Sequence, residues 1–160
     1  MTSNTSSEYT TIDNPTSNID LNTSLTLVGE VTSGMGKAQD FLSLPGYVSQ
    51  FKARLNFEPY PGTLNVALTG DVDSRIGIDA FDSTSIDSWE LDGQTFGGVE
   101  CYPCRLTTPN NGIYDEAYVL VPERTDHEDN KLELVAPARL RDVLKLDDGD
   151  EIRITLSETS

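Results

Sequence analysis

The chain has 160 residues, long enough for one domain with a substantial core and too short for two. Its 27 Asp and Glu against 11 Lys and Arg leave a formal net charge of −16, a surface that repels a phosphate backbone and so argues against a nucleic-acid partner. No apolar run approaches the roughly 20 residues that span a bilayer, and no basic stretch leads into an apolar one as in a secretory signal. The expectation is a cytoplasmic protein with no membrane partner.

The acid excess is spread along the chain instead of being gathered in one tail. In molar salt the Debye length falls to about 3 Å and screens the self-repulsion that such a surface carries in dilute buffer. The melting temperature is therefore expected to rise between roughly 0.1 and 2 M KCl. A thermal scan in both salts checks this, and an unchanged midpoint overturns it.

In chain order, residues 1–22 are mostly Ser, Thr, Asn and Asp, with no Lys or Arg. They predict a disordered polar tail ahead of a domain over 23–158, because they bury too little to offset the ordering entropy. Leu25–Val31 reads as a first strand, followed by the loop Thr32–Gln39. Gly34-Met35-Gly36-Lys37 resembles a P-loop, but G-x-x-x-x-G-K-[ST] needs glycine at position 31 and Ser or Thr at 38, where the chain has Val31 and Ala38. What remains is a Gly-x-Gly loop that could bring backbone N–H groups and Lys37 to a phosphate, or an ordinary β-turn. Pro45 then starts a helix with Val48, Phe51 and Leu55 on one stripe.

The helix leads to Phe57-Glu58-Pro59-Tyr60-Pro61-Gly62-Thr63-Leu64-Asn65-Val66. If a strand begins at Leu64, the spacing of two puts the Thr63 hydroxyl and the Asn65 amide oxygen on one face while Leu64 and Val66 enter the core. Paired hard oxygen donors suit Mg²⁺, which keeps several waters and takes further ligands from substrate phosphates. The alternative is a plain turn with polar residues outward.

From Leu64 to Val121 short apolar runs alternate with Asp-Gly, Asn-Gly and Pro, the pattern of β structure. Asp92-Gly93 and Asn111-Gly112 predict hairpin turns, and 71–87 predicts a long excursion with one short element. Cys101-Tyr102-Pro103-Cys104 matches C-x-x-C, but its flanks are strand-like and a single pair is half a zinc site, so two small strand residues are expected. Glu133 shares a strand face with Lys131 and Val135, opposite Leu132 and Leu134. Further on, Leu140, Val143 and Leu144 fall on one helical face, Asp147-Asp148-Gly149-Asp150 turns the chain, and Glu151–Leu156 alternates at period two. Arg139 and Arg141, at i and i+2, point to different sides, so one could reach a ligand while the other pairs with surface acids. This succession suggests a small closed barrel, which removes sheet edges.

The glycine loop, the helix, Phe-Glu-Pro-Tyr-Pro-Gly-Thr-Leu-Asn-Val, Phe-Gly-Gly-Val, Val-Pro-Glu-Arg-Thr and Ala-Pro-Ala-Arg-Leu-Arg follow one another across roughly residues 25–157. In that order they resemble the archaeal CTP-dependent riboflavin kinases, here in a halophilic-type sequence. The resemblance implies a mainly β fold, a six-stranded cradle-loop barrel with a few short helices. It implies Mg²⁺ as cofactor, CTP as phosphate donor, and riboflavin and FMN as acceptor and product, with CDP released.

By position, the resemblance puts the metal on Thr63 and Asn65. It puts the nucleotide on Met35, Gly36, Lys37, Ala38, Gln39 and Asp40, and on Ala138, Arg139, Leu140, Arg141, Asp142 and Val143. Thr125 and Glu133 match flavin-contacting positions, and Glu133 is the candidate to orient or deprotonate the acceptor hydroxyl. Relatives often carry Gly-x-Gly-Glu-Gly in the loop, so Lys37 departs from them. A monomer is expected. The competing expectation is a non-catalytic barrel module that binds flavin or nucleotide.

Overall fold

The computed structural model describes residues 24–33, 42–69, 77–123 and 130–157. The expected tail therefore lies outside the described residues. Nine strands and two helices are described: β1 (Ser24–Thr32), α1 (Pro45–Leu55), β2 (Leu64–Leu68), β3 (Thr84–Ile86), β4 (Trp89–Leu91), β5 (Gln94–Phe96), β6 (Val99–Thr107), β7 (Ile113–Pro122), β8 (Lys131–Val135), α2 (Leu140–Val143) and β9 (Glu151–Ser157). The strand order is β3-β6-β7-β8-β2-β1-β9, and β6 also pairs with β9. That last pairing closes six antiparallel strands into a barrel, with β3 added outside on β6. The mainly β closed barrel expected from the sequence is the observed fold.

Closure depends on one irregularity. β6 pairs with β7 from Val99 to Cys104 and again at Leu106 and Thr107, with a register shift between Cys104 and Leu106, and Arg105, Leu106 and Thr107 also pair with β9. A bulge bends the strand and increases its twist, which lets a single strand serve both neighbours. Alternation fills the inside: Val31, Leu64, Val66, Leu106, Val119, Leu132, Leu134, Ile152, Ile154 and Leu156 are buried in one cluster.

A second core lies on the outer wall, where Tyr47 and Phe51 of α1 pack with Leu42, Ile86, Cys101, Leu120 and Val135. The helix begins at Pro45, whose missing N–H costs nothing in the first turn. It ends at Asn56 in the left-handed region, φ 66°. Of the expected stripe, Phe51 is buried and Leu55 packs partly buried against the same cluster, but Tyr47 is buried in place of Val48, which is only half-buried. Aromatic contacts decide this. The Tyr47 ring meets Trp89 edge-on at 5.3 Å, Trp89 stacks on Phe96 at 4.6 Å, and the Tyr47 hydroxyl donates to the Gly97 carbonyl at 2.7 Å. The stack also needs Gly46, because a methyl there would occupy the space of the Trp89 indole.

The β4–β5 hairpin turns through Asp92 and Gly93, both at positive φ, as a two-residue type I′ turn requires. Asn111-Gly112 instead belongs to a wider loop, in which Thr108 N donates to the Gly112 carbonyl and Asn111 alone takes positive φ. Among its described residues, the excursion over 71–87 contributes two short elements where one was expected, a 3₁₀ turn at Ile78–Ala80 and β3. Leu140 and Leu144 are buried as their periodicity predicts, whereas Val143 is 47% exposed. With α2 only four residues long, a full apolar stripe does not form.

Cys101 and Cys104 are both buried and unbridged. Cys101 packs in the outer cluster and Cys104 inside the barrel, so their sulfurs lie on opposite faces of β6 and cannot bond. Burial pushes each thiol up to about 12, with Glu100 adding to the effect at Cys101. Protonated, buried thiols are poor nucleophiles, and the strand reading of this motif stands. Among the described residues no helix is long and apolar enough to cross a membrane.

Candidate active site

The Pro59–Gly62 turn hands the chain into β2. Pro59 is buried, and Tyr60 N donates to the Ala136 carbonyl just past β8 at 2.8 Å, which ties the turn to the neighbouring strand. Leu64 and Val66 enter the barrel core, so Asn65 faces outward with Thr63. β2 runs antiparallel to β8 with Leu64 opposite Leu134 and Asn65 opposite Glu133. On its other side β2 pairs with β1, Asn65 opposite Thr32. Thr32, Asn65 and Glu133 thus form a polar row across three adjacent strands.

Within this row the Thr63 hydroxyl donates to Glu133 Oε1 at 2.7 Å in a half-buried setting. The bond has a chemical consequence: with its proton committed to the carboxylate, the Thr63 oxygen presents only lone pairs to anything else nearby. Asn65 is half-buried, and strand alternation puts its side chain on the same outward face as Thr63. The donor set is two neutral oxygens beside one carboxylate. Such a set fits a hard cation that keeps water and substrate phosphates as its remaining ligands. Among the described residues no group of three His, Cys, Asp or Glu could hold a metal ion without such help.

The chain after β8 returns to the same end of the barrel. Arg139 Nη1 pairs with Asp142 Oδ1 at 2.7 Å, three residues on and well exposed. Arg141 reaches across to β1: its Nη2 donates to the Thr32 carbonyl at 3.2 Å and to Asp148 Oδ1 at 2.6 Å. Both arginines therefore pair with acids, but only Arg141 touches the polar row, through the residue opposite Asn65. The Ser33 hydroxyl and the Arg141 guanidinium hold the Asp148 carboxyl below the usual carboxylate range.

The sequence-predicted residues divide into three groups. Thr63, Asn65 and Glu133 come together, and Arg141 stands at the end of their row. Ala138, Arg139, Leu140, Asp142 and Val143 lie on the short segment carrying Arg141, with Leu140 buried as its anchor. Residues 35–40 and Thr125 lie outside the described residues. Sequence reasoning did not single out Thr32, Ser33 or Asp148. The contacts that bring Thr32 and Ser33 to Arg141 and Asp148 span more than a hundred residues, and no local spacing signals them.

The architecture defines the class: a closed antiparallel barrel that carries the polar row Thr32, Asn65 and Glu133 on its outer wall. A family model labelled CTP-dep_RFKase, described as domain of unknown function DUF120, matches residues 31–156. The chain belongs to this family of CTP-dependent riboflavin kinase domains. It is 47% identical over 131 residues to a riboflavin kinase of Halobacterium salinarum, covering 81% of this chain and 56% of the relative. A riboflavin kinase of Haloquadratum walsbyi is 44% identical over 131 residues, with the same coverage. One of Methanosarcina acetivorans is 43% identical over 129 residues, covering 80% of this chain and 52% of the relative. The chain thus spans just over half the length of these relatives.

Proposed function

We propose that the protein transfers the γ-phosphate of CTP to the ribityl 5′-hydroxyl of riboflavin, giving FMN and CDP. The observation that carries this reading is the Thr63–Glu133 hydrogen bond in register with Asn65, in a chain of this family. Phosphoryl transfer of this kind passes through a loose transition state, so the protein's contribution is mostly positioning and charge neutralisation. When bound, Mg²⁺ would be held by Thr63 and Asn65 and supplies neutralisation of the phosphate oxygens.

The remaining steps belong to side chains. Glu133, with one oxygen accepting from Thr63, has its second oxygen available to orient the acceptor hydroxyl and take its proton. Arg141 offers a fixed positive charge to the donor phosphates at the Thr32 end of the row. The loop over 35–40 supplies the remaining nucleotide contacts, and Thr125 joins Glu133 at the flavin. The enzyme works as a cytoplasmic monomer on small soluble substrates.

Incubation of riboflavin and Mg²⁺ with CTP, ATP, UTP or GTP in molar KCl, followed by chromatography, tests the reading. FMN is expected with CTP alone. Formation with ATP instead overturns the donor assignment, and no FMN with any nucleotide overturns the kinase.

A further inference from the structure

Ser33, just past the end of β1, meets Arg141 and Asp148, two residues more than a hundred positions further along the chain. The Ser33 hydroxyl lies 2.8 and 2.6 Å from the two carboxylate oxygens of Asp148, and Arg141 Nη2 donates to Asp148 Oδ1. The same Nη2 lies 3.3 Å from the Ser33 oxygen and donates to the Thr32 carbonyl. A charge-assisted bond of this length is among the stronger polar contacts, and Asp148 makes it while its other oxygen is engaged by Ser33.

The carboxylate is itself held in place. Asp148 belongs to the acidic turn between α2 and β9, and that turn is hydrogen-bonded to β1 in both directions. Val31 N donates to the Asp150 carbonyl at 2.9 Å, and Gly149 N donates to the Val31 carbonyl at 2.8 Å. Within the turn, Asp150 Oδ2 accepts from Asp147 N at 2.8 Å. Asp148 thus stands on backbone that is continuous with the barrel wall, whereas the acid paired with Arg139 lies on α2 itself.

The bonds to Arg141 are also one-sided. Among the described residues every hydrogen bond of this guanidinium runs through Nη2, which leaves the donors on Nη1 and Nε for a further acceptor. The side chain retains 24% of its exposure, so an acceptor can reach it.

We propose that Asp148, seated by Ser33, is a positioning residue for the donor nucleotide: it holds Arg141 at the Thr32–Asn65 end of the row with its remaining donors directed at phosphate. The inference rests on the kinase reading and sharpens it. Arg141, not Arg139, is the phosphate-contacting arginine, and two residues outside the expected binding segments set its aim. A guanidinium held in advance loses less side-chain entropy when the phosphate arrives, so the effect falls on nucleotide affinity.

The test is steady-state kinetics of FMN formation, varying Mg·CTP and riboflavin separately, for the wild-type chain, Asp148→Ala, Asp148→Asn and Ser33→Ala. Asp148→Ala is expected to raise the KM for CTP about tenfold and to leave the KM for riboflavin unchanged. Asp148→Asn keeps an acceptor oxygen for Arg141 and should restore part of the loss, with Ser33→Ala between the two. If Asp148→Ala shows no cooperative melting transition, Ser33→Ala, which removes a single exposed hydroxyl, decides the question on the same split. An unchanged KM for CTP, or an equal rise for both substrates, overturns the inference while the kinase stands. A wild-type chain that forms no FMN overturns both.

Discussion

Thr63→Ala is expected to lower Mg²⁺-dependent FMN formation by at least about a hundredfold, since a cation on transferring phosphate contributes several kcal/mol and each ~1.4 kcal/mol is tenfold in rate. The substitution removes one of two neutral oxygens and also the hydrogen bond that orients Glu133. Two measurements separate these effects. The concentration of Mg²⁺ for half-maximal rate should rise steeply in Thr63→Ala, and Thr63→Ser, which keeps the hydroxyl, should recover most of the wild-type rate. A wild-type rate and Mg²⁺ dependence in Thr63→Ala would remove Thr63 from the metal site. Thr63 is half-buried just before β2, outside the barrel core, so the fold is expected to survive the substitution, and a melting scan checks this.

Glu133→Gln tests the other half of the pair. The amide oxygen can still accept from Thr63, so the oxygen-donor geometry is preserved while the charge and the basicity are lost. If Glu133 takes the proton of the acceptor hydroxyl, kcat should fall about 10²–10⁴-fold, with the KM for CTP nearly unchanged. A kcat within a few-fold of wild type would leave Glu133 a flavin-contacting residue and no more. The two variants are therefore expected to fail differently, one in Mg²⁺ dependence and the other in proton transfer. Their nearness predicts strong non-additivity in the double variant.

Much of the barrel is legible from local pattern. Glu151–Leu156 alternates in the sequence, and Ile152, Ile154 and Leu156 are all buried in the barrel core. Leu64 and Val66 enter that core as their spacing requires, which places Thr63 and Asn65 outward. The failures fall where tertiary contacts outweigh periodicity. Tyr47 displaces Val48 from the buried stripe of α1 because Trp89 and Phe96, delivered by a distant hairpin, offer an aromatic surface that a valine cannot match. Val143 stays exposed because α2 stops after one turn.

The candidate site shows the same division more sharply. Thr63 and Asn65 declare themselves as oxygen donors two residues apart, since the period of a strand is a local property that any extended segment obeys. Glu133 lies 70 residues from Thr63, and Ser33 lies 115 from Asp148; nothing in either neighbourhood names the partner. Only strand register brings Glu133 opposite Asn65, and only the return of β9 to β1 brings Asp148 beneath Ser33 and Arg141. By itself the sequence determined the strands, the outward oxygen pair and the family. The closed barrel decided which acid each donor meets, because register and closure are set by long-range pairing energies that no local spacing encodes.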